Sequence, residues 1–255
     1  MNEERRGGAA VWAPKTMAGV GRELTAEQQL ACALRHLDDL GFCENLTGHI
    51  TWQLPGETNL RVNPWGIWWA ETKASDILTI TPAGEVVAGK WDVTPAFHIH
   101  TELHRRRPDA RVVVHNHPMH VTILAGLGVL PEIIHQNSAM FFDEMVFVNE
   151  YDGEVDSAQL GGELAERMGD ASVALLASHG VVITAPTIEE ATYKSALFER
   201  CCEIHYKTML TGRDPFPIAP EHLKPMKASL IERAAQAYWD GAVRQLLARE
   251  PDVLD

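Results

Sequence analysis

The sequence predicts one α+β domain whose strands are mainly antiparallel, and three observations carry that reading. Residues 48–92 run as short β-rich segments (HITWQL, LRVN, ILTIT, EVVA) broken by Pro-Gly, Asn-Pro and Pro-Ala-Gly turns. Helical periodicity recurs on both sides of them, without the regular alternation of parallel βαβ units. No linker-like stretch, internal repeat or low-complexity tract divides the 255 residues, of which 45% are apolar, enough for a sizeable core.

Residues 1–22 are rich in Gly, Ala and charge, have no period, and read as a flexible arm ahead of a domain over 23–255. Order is expected from Thr25, where Thr-Ala-Glu-Gln spells a capping box and LACALRHLDDLGF follows helical spacing to a stop at Gly41. After the strands of 48–92, Thr94-Pro95 supplies an N-cap and a proline at the first helical position. They open AFHIHTELHRR, which must end before Pro108. The strand ARVVVHNH follows, then a short helix over 121–130, a strand over 144–149 and a helix over 157–168. SVALLASHGVVIT reads as a strand broken at His179-Gly180. Thr187 to Glu190 repeats the capping-box spacing and opens a long helix to about Leu210, and 226–248 forms a last amphipathic helix.

Composition narrows the partners. Lys and Arg total 22 against 35 Asp and Glu, a formal charge of −13 whose field repels nucleic acid and anionic membranes. No run is apolar enough to span a bilayer and the N-terminal residues have no signal-peptide core, so the chain reads as cytoplasmic. Cys32, Cys43, Cys201 and Cys202 match no zinc spacing and read as reduced thiols. Gly84 to Lys90 imitates a phosphate-binding loop, but Trp91 stands where a magnesium-binding Ser or Thr is required. Gly126-Leu-Gly128 lacks the third glycine and the preceding strand of a dinucleotide fingerprint.

The chemistry concentrates in Val113-Val114-His115-Asn116-His117. A strand projects residues i and i+2 from one face, so the two imidazoles form a bidentate metal grip. His179, in Ser-His-Gly at a strand end, is the third candidate, and three ligands leave open positions for water or substrate. On the helix over 95–106, His98 and His100 diverge, whereas His100 and His104 share one face. His100, His120 and His135 fit either pocket or core roles.

From about 25 to 210 the chain resembles the class II aldolase/adducin family. The matching pieces, in order, are Gly48-His-Ile-Thr51, Asn63-Pro64-Trp65-Gly66, the helix into Arg107-Pro108-Asp109, Val-Val-His115-Asn-His117, and Ser-His179-Gly180 with Ile188-Glu-Glu-Ala191. The resemblance implies a three-layer α/β/α domain and one divalent ion, zinc, iron(II) or manganese, on His115, His117 and His179. It also implies a homotetramer whose small-molecule sites lie near subunit boundaries.

Two departures from the family pattern redirect the function. Members that cleave sugar phosphates carry a glutamate nineteen residues before the first ligand histidine; Ala96 stands there and can neither bind metal nor move a proton. His49, Trp65 and Pro95 replace the small polar residues that cradle phosphate. The expected activity is therefore a metal-dependent carbon–carbon lyase, decarboxylase or aldolase-like, acting on a non-phosphorylated aromatic or keto acid. A non-haem iron(II) oxygenase and an adducin-like binding module are the alternatives. His49, Trp65, Trp68 and Trp69 are expected to wall the substrate pocket, the tryptophans alternatively sealing a subunit contact. His100 and His135, with Glu102 and Tyr151 behind them, are the candidate proton carriers.

Overall fold

The sheet is organised around β5 (Val112–Asn116), whose five residues are all buried. The computed structural model describes residues 14–150, 153, 155–216 and 218–255; residues 1–13 of the expected arm and Tyr151 lie outside them. Around β5 run β1 (His49–Gln53), β2 (Leu60–Val62), β3 (Leu78–Ile80), β4 (Val86–Ala88), β6 (Met145–Val148), β7 (Val173–Leu176) and β8 (Val181–Ala185). They form one eight-stranded sheet in the order β4-β3-β2-β1-β5-β8-β7-β6. All neighbours are antiparallel except β6 and β7, which are parallel and joined through α4 (Ala158–Met168). A parallel pair needs such a crossover, so the chain contains one βαβ unit in a sheet that is otherwise antiparallel, as the mainly antiparallel reading expects.

Alternation along the strands sorts the core into two faces. Val112, Val114, Val173, Leu175, Val181 and Ile183 point to one side. There they meet α1 (Ala26–Asp39), α3 (Met119–Leu127), α5 (Ile188–Met209) and α6 (Pro220–Arg249). Val113, Ala174, Leu176 and Val182 point to the other, against Ile99 and Leu103 of α2 (His98–Arg106) and Leu164, Ala165 and Met168 of α4. This is the three-layer α/β/α arrangement that the resemblance implies. His115, two residues after Val113, shares the α2 face.

The start of α1 is as the sequence dictates: Thr25 Oγ1 accepts from the Gln28 amide at 3.2 Å and Gln28 Oε1 from the Thr25 amide at 3.1 Å. At α5 only half of the expected box forms. Thr187 Oγ1 accepts from the Glu190 amide at 3.2 Å, while the Glu190 carboxylate pairs with buried Lys194 at 2.9 Å. A buried ammonium competes for that carboxylate more strongly than a backbone amide does. α6 starts at Pro220, earlier than the expected residue 226, and carries Pro225 inside. A proline in the second turn removes one hydrogen bond, whereas Pro220 at the first helical position costs none and Leu223 is buried. The arm is not free along its whole expected length, since Arg244 donates to the Ala18 and Gly19 carbonyls and Val20 packs on the core.

Candidate metal centre

β5 and β8 are registered so that Asn116 lies opposite Val181, which brings His117, one residue beyond β5, beside Gly180. The segment read as one broken strand is a hairpin: β7 and β8 pair antiparallel, and His179 sits in the turn after Ser178 at φ 53°. The turn folds the third imidazole back over the first two. Ring centroids are 5.0 Å apart for His115 and His117, 4.8 Å for His115 and His179, and 4.9 Å for His117 and His179. One ring nitrogen from each lies within 4.8 Å of the others. A tetrahedral ion with bonds of about 2.1 Å needs such nitrogens about 3.4 Å apart, a closure that small ring rotations supply.

Each strand histidine is held from behind. His115 Nδ1 donates to the Val181 carbonyl at 3.0 Å, so its Nε2 keeps a lone pair for the site. His117 Nδ1 lies 3.3 Å from Thr47 Oγ1 and 3.3 Å from Glu44 Oε2, while its Nε2 is buried with no hydrogen-bond partner among the described residues. Burial, reinforced by the neighbouring imidazoles, pushes His115 well below the usual histidine range and His179 down to about 4. Burial also lowers His117, against the opposing pull of Glu44. All three are thus neutral at pH 7, the form that binds a metal without releasing protons. An orphaned Nε2 aimed into a cluster of neutral imidazoles fits a divalent ion.

Gly180 permits the approach of the hairpin to β5. A Cβ there would fall 2.4 Å from His117 Cδ2 and 2.5 Å from the Asn116 carbonyl oxygen. Gly180→Ala should therefore displace His117 and cost at least about 1–3 kcal/mol by overpacking, read out by urea unfolding alongside weaker metal uptake.

The remaining site candidates separate. His49 stands opposite His115 across the β1–β5 pair, their rings 5.7 Å apart. His100 is fully buried behind His49, at 5.5 Å, and bonds through Nδ1 to Thr51 Oγ1 at 2.9 Å. The same hydroxyl meets His104 Nε2 at 2.7 Å, as the shared helical face of His100 and His104 requires. This is a buried polar network under the site. Thr51→Val keeps the shape but leaves two imidazoles short of a partner, and should cost about 1–3 kcal/mol in thermal or urea unfolding. Glu102 is spent on Arg105 and Arg106. His135 lies near Arg200 of α5, and its backbone amide and carbonyl both bond the Ser138 hydroxyl in the 3₁₀ turn that follows. His120 pairs with Glu199 at 2.7 Å, whose carboxylate also accepts the first amides of α3.

The tryptophans do not form one wall. Trp69 is a core residue at 1% exposure, its ring about 3.0 Å from where a Gly48 Cβ would lie. Trp65 and Trp68 are 58% and 47% exposed. Trp69 opens a 3₁₀ turn that tucks it under α1. A cleft of about 470 Å³, lined by Leu40, Phe42, Tyr193, Leu197 and Tyr238, contains none of the three histidines. A smaller one of about 40 Å³ reaches His179 between Val148, Leu176 and the Glu150–Arg167 ion pair. Donor chemistry, not cleft size, locates the centre. Sequence reasoning missed Glu44 and Thr47, which reach His117 from a turn some seventy residues away.

The family profile described as Class II Aldolase and Adducin N-terminal domain matches residues 28–206. Among curated relatives, 3,4-dihydroxyphthalate decarboxylase of Arthrobacter keyseri is 32% identical over 203 residues, covering 72% of this chain and 76% of that protein. The 4-hydroxy-3-prenylphenylpyruvate oxygenase/4-hydroxy-3-prenylbenzoate synthase of Streptomyces roseochromogenus subsp. oscitans is 30% identical over 199 residues, covering 73% and 69%. Among solved structures, L-fuculose 1-phosphate aldolase from Glaciozyma antarctica PI12 superposes with a TM-score of 0.80 at 22% identity, covering 95% of this chain and 97% of that one, a likeness of fold. With the profile spanning all eight strands of the sheet and both segments that carry the three histidines, the chain belongs to the class II aldolase/adducin family.

Proposed function

We propose that this protein is a divalent-metal-dependent carbon–carbon lyase that decarboxylates a non-phosphorylated aromatic or keto acid. The observation that carries the reading is the convergence of three neutral imidazoles, joined by no carboxylate among the described residues. When bound there, a divalent ion supplies Lewis acidity that polarises a carboxylate or carbonyl and offsets the charge left by carbon–carbon cleavage.

The chain's own residues do the rest. His115, His117 and His179 hold the ion and leave positions open to substrate. Position 96 is alanine, so aldol cleavage lacks its acid/base, whereas departure of carbon dioxide requires no base. His49, beside His115, is the nearest further imidazole; burial pushes it down to about 3, so it presents neutral nitrogens to the site. His100 is assigned to holding His49 from behind rather than to touching substrate. Trp65 and Trp68 are assigned to an aromatic surface facing substrate or a neighbouring subunit of a homotetramer.

The similarity to an aromatic-acid decarboxylase supports this assignment. A second reading, iron(II) oxygenase, is favoured by the similarity to the prenylphenylpyruvate oxygenase and by a histidine donor set that iron(II) also accepts. Carbon dioxide release and oxygen uptake, measured together on metal-loaded protein with a panel of aromatic and keto acids, test both. Release of carbon dioxide without oxygen uptake is expected. Stoichiometric oxygen consumption would transfer the assignment to the oxygenase, and turnover of a sugar phosphate near about 10 per second would overturn the substrate class.

A further inference from the structure

We infer that Glu44 and Thr47 are positioning residues of the metal centre: together they force the His117 imidazole into the one tautomer that can bind an ion. The inference rests on the metal reading above and concerns residues outside the ligand set. The turn between α1 and β1 folds back on itself, Thr47 Oγ1 donating its single proton to the Glu44 carbonyl at 2.6 Å and the Thr47 amide pointing to the same oxygen at 3.2 Å. With that proton committed, Thr47 Oγ1 presents only lone pairs to His117 Nδ1, 3.3 Å away. The other neighbour of Nδ1 is a Glu44 carboxylate oxygen, also at 3.3 Å and also an acceptor. Two acceptors facing one ring nitrogen leave it a single satisfied state, Nδ1–H. The lone pair then resides on Nε2, the buried nitrogen without a partner among the described residues.

The arrangement differs in kind from that behind His115, where one backbone carbonyl fixes the ring. A carbonyl cannot be mutated away or change its charge. Behind His117 stand two side chains, one of them a carboxylate that makes the imidazole a stronger electron donor as well as orienting it. Metal affinity is thereby adjustable at a position 61% exposed and outside the core. Asn45, at φ 59°, lies inside the turn, and Cys43 Sγ bonds the Asn45 carbonyl, so the loop is held by its own contacts.

The test uses full-length protein carrying Glu44→Ala, Glu44→Gln or Thr47→Val, with His117→Ala as control. In metal-free protein above pH 8, the ¹⁵N shifts of His117 should report Nδ1–H in the wild type and a move toward Nε2–H in Glu44→Ala. Zinc affinity, measured by competition with a chromophoric chelator, should fall about 10–100-fold in Glu44→Ala and less in Glu44→Gln, which keeps an acceptor oxygen but not the charge. Unchanged thermal unfolding of the metal-free variants is the expected sign that the effect is not one of folding. Zinc affinity within twofold of wild type in Glu44→Ala, with His117→Ala impaired, would overturn the inference while leaving the metal reading intact. A wild-type chain that takes up no zinc would overturn both.

Discussion

Replacing His115 or His117 by alanine is expected to strip the chain of its ion. Each substitution takes one of the three proposed ligands and leaves two imidazoles, their rings 4.8 or 4.9 Å apart, too few donors to hold a cation. The loss of affinity should exceed the roughly 10–100-fold that an outer hydrogen-bond partner contributes, so protein purified through a chelator should go from about one ion per chain to almost none. The variants should stay folded at room temperature, because the ligands sit at the rim of a sheet whose core is complete without them. Elemental analysis and circular dichroism on the same samples check both parts. Stoichiometric metal retained in the triple variant His115→Ala, His117→Ala, His179→Ala would remove the site from consideration.

Acidification should destabilise the metal-free protein steeply, and the sign follows from burial. His104, 8% exposed and enclosed under β1, is pushed down to about 4 from an unfolded value near 6.5. Between those values the unfolded chain binds a proton that the folded chain refuses. Stability is therefore flat above about pH 6.5 and falls as pH drops toward 4. For His104 alone the loss by pH 4 is on the order of 3 kcal/mol. His179, lowered to about 4, and His49, lowered to about 3, act in the same direction. Urea unfolding of metal-free protein at pH 7.5, 6, 5 and 4.5 should show a midpoint constant at the alkaline end and declining below 6.5. A midpoint that holds down to pH 4.5 would mean that these imidazoles are already charged in the folded chain.

How far the sequence reaches depends on the range of the interaction that fixes each feature. The Thr25–Gln28 box and the His115/His117 pair depend on spacing within a few residues, and both are legible because helix and strand periods are fixed. The pairing of His100 with His104 follows from the same helical arithmetic, but its partner Thr51 lies on another element. Glu190 fits a capping box locally and is diverted by Lys194 on the same helix, a contest that burial of the ammonium decides. Trp65, Trp68 and Trp69 look alike in sequence, and only the packing of α1 over the 3₁₀ turn assigns one to the core and two to the surface. Glu44 carries no local sign of its role, because its value comes from a turn folding against a residue far along the chain.

One end of the sheet bears on how the protein behaves when it refolds in a crowd of copies. An outermost strand offers unpaired amides and carbonyls to any passing chain, and the two valines of β4 are 39% and 54% exposed, an inviting combination. The invitation is short. β4 has three residues, its register against β3 slips between Thr79 and Ile80, and Lys90 stands two residues beyond its end. Beyond that local blunting, mutual repulsion of chains carrying a formal charge of −13 keeps edges apart. That second safeguard depends on ionic strength, since at about 1 M salt the Debye length shrinks to about 3 Å. Aggregation during dilution from denaturant should therefore rise with salt, starting from the Val86–Val87 edge.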